Sequence, residues 1–156
     1  MNDERGFVID ASVAIKWIID EEDSPIADLL QGFDMAAPAQ LRIETANALS
    51  AMVARHALSQ AGASELYSVL QAAPVTIVDA DDNLEARALE LAMALHQSVQ
   101  ACIYLALAER LKRRLITADR TFLRTLDGTE HARHAVHLHD LEADQTTMSN
   151  QQPVFE

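Results

Sequence analysis

A single cysteine, Cys102, leaves this chain without an internal disulfide, and its place inside an apolar helical pattern points to a reducing compartment, the cytoplasm. Glycine and proline are equally scarce, four of each and scattered, so no linker or low-complexity segment divides the 156 residues. Aromatic residues make up only 4%, too few for the stacking platforms on which single-strand binders lay their bases. No apolar run reaches the roughly 18 residues that would span a bilayer, and the polar, acidic stretch Met1-Asn2-Asp3-Glu4-Arg5 reads against a signal peptide. Basic charge is short too. Twelve Lys and Arg against 24 Asp and Glu leave a net charge of -12, which gives no global electrostatic footprint for nucleic acid. Any nucleic-acid substrate would have to be met by a local basic patch and by metal ions. Arg110-Leu111-Lys112-Arg113-Arg114, with Arg120 and Arg124, offers such a patch around Asp119, although cations at a helix C-terminus are an ordinary reading of the first group.

What the chain does contain is apolar residue in short, patterned pieces, 49% in all, enough for one core. Phe7-Val8-Ile9 reads as a buried strand ended by Asp10, followed by a helix over about 11–19 with Ser12 as its N-cap. Ser24 and Pro25 open a second helix reaching about Gln31, Met35 to Ala37 forms a short strand, and a long helix covers about 41–55. Ser59 caps a helix to about Ala73, and Val75-Thr76-Ile77-Val78 is β-branched enough for a strand. Helices over about 83–96 and 99–112 lead to strands at 115–117 and 135–138. Strands alternating with helices predict an α/β fold, a mostly parallel sheet covered on both faces, in one domain over 1–144 with a loose polar tail over 145–156.

Two of these strands end on aspartate: Ile9 runs into Asp10, and Ile116-Thr117 into Ala118-Asp119. In an open parallel sheet, chemistry gathers at the carboxyl ends of strands, so carboxylates remote in sequence can converge there. Glu44 falls within the stripe Leu41, Ala48, Met52 of the long helix, and a carboxylate on a buried face is costly unless paired or metal-bound. Asn47, one turn on, is placed to orient it. Each acid has a plainer reading beside this one: Asp10 and Asp119 as helix N-caps, Glu44 as an edge residue with its head in water. Taken together the three point to a site for Mg2+ or Mn2+, hard cations that want oxygen ligands. Asp79, Asp81 and Asp82 precede a helix and suit its dipole, a structural role. His131, His134, His137 and His139 invite a zinc reading, with a solvent-facing edge that shares His137 and His139 on one strand face as the default.

The segments Val8-Ile9-Asp10-Ala11-Ser12-Val13-Ala14-Ile15-Lys16-Trp17, Arg42-Ile43-Glu44-Thr45-Ala46-Asn47-Ala48-Leu49, Tyr104-Leu105-Ala106-Leu107-Ala108-Glu109 and Ile116-Thr117-Ala118-Asp119-Arg120-Thr121-Phe122, in this order and spacing, resemble a PIN-domain protein of the VapC toxin type. The resemblance covers about 7–141. It implies a three-layer α/β/α domain and the toxin of a toxin–antitoxin pair, a metal-dependent endoribonuclease in which Mg2+ or Mn2+ activates water against an RNA phosphodiester. By motif, Asp10, Glu44 and Asp119 match acidic site positions, and Ser12 and Thr117 match hydroxyl positions beside them. A VapB-like antitoxin and a homodimer are implied as partners, with apolar residues of 26–30, 41–53 and 66–70 available to dock them.

One position departs from the pattern. Where the family reads Val-x-Asp before Tyr-Leu-Ala-Leu-Ala, this chain reads Val99-Gln100-Ala101, so Ala101 stands in place of a site aspartate. Loss of one acid from a mutually repelling cluster leaves folding intact and weakens metal binding. The resemblance therefore implies either an impaired nuclease or a catalytically inactive PIN module that works by binding antitoxin and regulating its operon. Nuclease action on structured DNA finds less support, since no DNA-groove element is visible.

Overall fold

The computed structural model describes residues 6–141; the expected tail at 145–156 lies outside them. Five short strands, β1 (Phe7–Ile9), β2 (Met35–Pro38), β3 (Val75–Val78), β4 (Arg114–Thr117) and β5 (Ala135–His137), form one sheet in the order β3-β2-β1-β4-β5. Every pairing between them is parallel. The central strands are short and wholly buried, which is why they read as unbroken apolar runs rather than alternating ones.

Helices α1 (Ala11–Ala14) and α2 (Ser24–Leu29), each continued by a 3-10 turn, connect β1 to β2. Helices α3 (Gln40–Ala54) and α4 (Gln60–Gln71) connect β2 to β3, α5 (Asp82–Leu95) and α6 (Val99–Leu111) carry the chain back across to β4, and α7 (Arg120–Leu126) leads to β5. The first two connections step one way along the sheet and the last two the other way. Right-handed crossovers then put α1 to α4 over one face and α5 to α7 over the other, which is the three-layer arrangement. The direction reverses between β1 and β4, which are hydrogen-bonded neighbours. Their carboxyl ends therefore flank the crevice where open α/β sheets place ligands.

The core lies between the sheet and α6, whose face Cys102, Leu105, Ala106, Leu107 and Ala108 is fully enclosed. On α3 the buried stripe is Leu41, Thr45 and Leu49, with the Thr45 hydroxyl donating to the Leu41 carbonyl at 2.7 Å. This differs from the expected stripe: Ala48 is exposed, and Glu44 sits at the margin. The N-cap of α1 is Asp10, not Ser12; Asp10 has extended backbone and accepts from Val13 N, while Ser12 lies one residue inside the helix. Helix α7 has no counterpart among the expected elements. Seven residues with only Phe122 and Leu126 turned inward are too short a stretch for periodicity to register.

Candidate metal-binding active site

Asp10 leaves β1 and Thr117 ends β4, and two hydroxyls bind these strand ends together. Ser12 Oγ donates to Asp10 Oδ1 at 2.5 Å and accepts from Ala118 N at 2.9 Å. Thr117 Oγ1 donates to Asp10 Oδ2 at 2.5 Å and accepts from Asp119 N at 3.0 Å. Each hydroxyl uses its proton on the carboxylate and a lone pair on a backbone amide of the β4–α7 turn. The orientation of Asp10 is thereby tied to the turn that carries Asp119.

Glu44 enters from α3. Gln40, one turn earlier on the same face, donates through Nε2 to Glu44 Oε1 at 3.0 Å and to the Gln100 carbonyl at 2.6 Å. Tyr104 on α6 donates its phenol proton to Glu44 Oε2 at 2.9 Å. Each carboxylate oxygen of Glu44 thus has one donor. Asn47, expected to orient Glu44, is exposed, and that work falls to Gln40 and Tyr104. The i, i+4 spacing of Gln40 and Glu44 was available in sequence; the Tyr104 contact was not, because it joins helices from opposite faces of the sheet.

Asp10, Glu44 and Asp119 line a single cavity of about 310 Å³, together with Ser12, Ser98, Gln100, Ala101 and Tyr104. Ala101 thus lies on the wall of the same cavity as the three acids. No lysine or arginine is among its described lining residues. The electrostatics follow: burial is the largest effect on Asp10 and raises its pKa, against the lowering hydrogen bonds from Ser12, Thr117 and the backbone. The pKa of Glu44 is also raised, first by burial, with the hydrogen bond from Tyr104 opposing and the charge of Asp10 adding to the rise. Burial and the neighbouring carboxylate push the Tyr104 phenol well above its ordinary value. Asp10 and Glu44, whose charged forms burial disfavours, are the cavity acids that could hold a divalent cation.

Asp119 is placed differently. It is exposed at the rim and its Oδ1 accepts from Phe122 N at 3.0 Å, capping α7. Among the described residues no three His, Cys, Asp or Glu side chains come together closely enough to hold an ion. Asp10 and Glu44 alone would suffice for a divalent cation of the kind held by one or two carboxylates and otherwise by water. Capping and site roles are not alternatives here, because both strand-end aspartates cap a helix and line the cavity.

The histidines are corrected by the structure. His131 and His137 are buried rather than solvent-facing, and His139 lies beyond the end of β5, in a 3-10 turn. His137 Nδ1 accepts from His139 N at 3.1 Å, and His139 Nε2 lies 2.9 Å from Asp23 Oδ2. Their roles are therefore in turn formation and packing. Asp81 caps α5 and accepts both Arg110 nitrogens, at 2.7 and 2.8 Å, which bears out its structural reading and removes Arg110 from the free basic patch.

Comparison with known proteins bears on this geometry. Residues 7–127 match a family model described as PIN domain. Similar solved structures include PAE2754 from Pyrobaculum aerophilum, with 19% identity over 91% of this chain and 90% of that one and a TM-score of 0.64. A toxin–antitoxin complex from Klebsiella pneumoniae matches at 14% identity over 84% and 96%, TM-score 0.59. VapC20 of Mycobacterium tuberculosis, a sarcin–ricin loop cleaving toxin, matches at 14% identity over 80% and 97%, TM-score 0.58. No curated protein matches the sequence.

Proposed function

Since the chain belongs to the PIN domain family, we propose that it is a VapC-like toxin whose endoribonuclease site, built on Asp10, Glu44 and Asp119, is impaired by Ala101. The observation that carries this reading is the pairing of Asp10 and Glu44 in a cavity at the β1/β4 crevice that has no basic residue among its described lining residues and has Ala101 on its wall. Asp10 and Glu44 would hold Mg2+ or Mn2+, with Asp119 as the third acid; when bound, the ion lowers the pKa of its water and polarises a phosphodiester. Ser12 and Thr117 keep Asp10 turned toward the cavity through their hydroxyl protons. Tyr104 and Gln40 do the same for Glu44. Both carboxyls must lose their protons to take up a cation, and because burial holds those protons, metal binding strengthens as pH rises.

Partner readings follow the same lines. Leu29, Ile43 and Val69 are all more than half exposed, one on each of the apolar segments considered for docking, and they support an antitoxin helix or a second copy as occupant. A net charge of -12 suits a basic antitoxin segment. Among the described residues no single helix is long and apolar enough to cross a membrane, and we assign the protein to the cytoplasm with an RNA substrate.

Ala101 also favours a second reading, an inactive PIN module that binds antitoxin and helps regulate its operon. Ala101→Asp separates the two. Under the first reading the variant gains Mg2+-dependent RNA cleavage over the parent, abolished by chelator; antitoxin binding without any gain in cleavage supports the second and overturns the first.

A further inference from the structure

An acidic protein that handles a polyanion needs unpaired cations near its site, and several basic residues here are unsuited to that. Lys16 is held by Glu21 and Asp23, Arg87 by Glu90 and Glu109, and Arg110 by Asp81. Arg55 and Lys112 sit at the C-terminal ends of α3 and α6. Helix α7 differs. Its N-cap is Asp119, on the cavity rim, so Arg120 is the first helical residue beyond the site and Arg124 follows one turn later on the same side. Both are exposed, and neither has an acidic partner among the described residues. Phe122 and Leu126 occupy the opposite, buried side of the helix.

Arg120 is also near enough to β5 for its charge to act there. His137, the last residue of β5, has a lowered pKa, first through burial and next through the charge of Arg120. The Arg120 charge is thus felt at the carboxyl end of β5, which pairs with β4, the strand that leads to Asp119.

We propose that Arg120 and Arg124 form a two-cation track leading out of the acidic cavity, which grips successive phosphates of a single-stranded RNA segment whose scissile bond lies at Asp10 and Glu44. This rests on the RNA reading of the site. Residues four apart on a helix have Cβ atoms about 5–6 Å apart, a spacing over which two flexible guanidinium groups can reach neighbouring phosphates. The grip would be indifferent to base identity and sensitive to salt.

The test is fluorescence anisotropy of a labelled single-stranded RNA oligonucleotide in EDTA, across a range of salt, with Arg120→Gln/Arg124→Gln. The charge-matched control is Arg55→Gln/Lys112→Gln. Each phosphate contact on a single strand contributes about 0.7 to the slope of log affinity against log salt, so the α7 pair should lower the slope by about 1.4 and the affinity by about tenfold at low salt. Arg120→Lys/Arg124→Lys should keep the slope, which guards against a loss caused by misfolding. Equal slopes in wild type and the α7 pair, or an equal loss in the control pair, overturn the track while leaving the RNA reading in place. Wild-type protein that binds no RNA removes both.

Discussion

Tyr104→Phe removes one atom from the site and leaves the rest of its packing. The ring is 3% exposed, so phenylalanine occupies the same space, and the loss is confined to the donor 2.9 Å from Glu44 Oε2. A hydrogen bond to a charged group contributes about 1.5–3 kcal/mol. Glu44 is only half-buried, so the lower end, about 1.5 kcal/mol, is the expected loss at about pH 8. In a domain of this size, that lowers Tm by about 3–6 °C. The pH dependence carries the sharper test. The Glu44 pKa is raised above its ordinary 4.5 by burial first, with Tyr104 pulling down, Asp10 pushing up and Gln40 pulling down. A folded pKa above the unfolded one means that the folded state binds more protons, so stability is lost as pH rises from about 4.5 through the folded value. Taking away the Tyr104 donor raises that folded value further. The destabilisation by Tyr104→Phe should thus be full above the folded value and shrink as pH falls through it toward about 4.5. Thermal unfolding followed by circular dichroism over that range measures it. An equal loss at every pH would make the hydroxyl a packing group, and no loss at all would remove the Tyr104–Glu44 bond from the account of the site.

Further expectations concern the cavity, the core and a surface pair. Ala101→Asp should lower the Tm of chelator-treated protein by placing a fourth acid in the cavity, and millimolar Mn2+ should reverse the drop; a Tm indifferent to Mn2+ in the variant would detach Ala101 from any metal site. Leu105→Ala, at a fully buried position of α6, should cost about 2–5 kcal/mol in urea unfolding; a smaller loss would mean that α6 is not the central packing element. Asp81→Asn keeps a good N-cap but loses the Arg110 ion pair. The Asp81 carboxyl is pulled down to about 2, first by Arg110, so its contribution is present above the ordinary 3.8 and lost as pH falls toward about 2. The variant should accordingly be slightly less stable than wild type at neutral pH, and the difference should close over that acid interval in thermal scans.

The sheet strands and the long helices were legible in the chain because their signals are local. Phe7-Val8-Ile9 and Leu115-Ile116 are short apolar runs of the kind buried parallel strands require, and Ser59 and Asp81 cap the helices that follow them. Helix α7 was not legible, since one turn and a half of inward-facing residues is no longer than chance. The histidines misled for a related reason. Burial of His131 and His137 depends on what packs over them, and alternating polarity along 131–139 carries no trace of it.

By itself the sequence determined the acids, their attachment to strand ends and a helix, and the alanine standing among residues otherwise matched to an acidic motif. Their meeting was decided by the order of the strands. Only because β1 and β4 pair directly, with connections leaving in opposite directions, do Asp10 and Asp119 reach one crevice, and only because α3 and α6 approach across it does Tyr104 find Glu44. Local propensity sets which residues end an element; which elements end side by side follows from burying the whole apolar surface at once, a condition that no single segment can express.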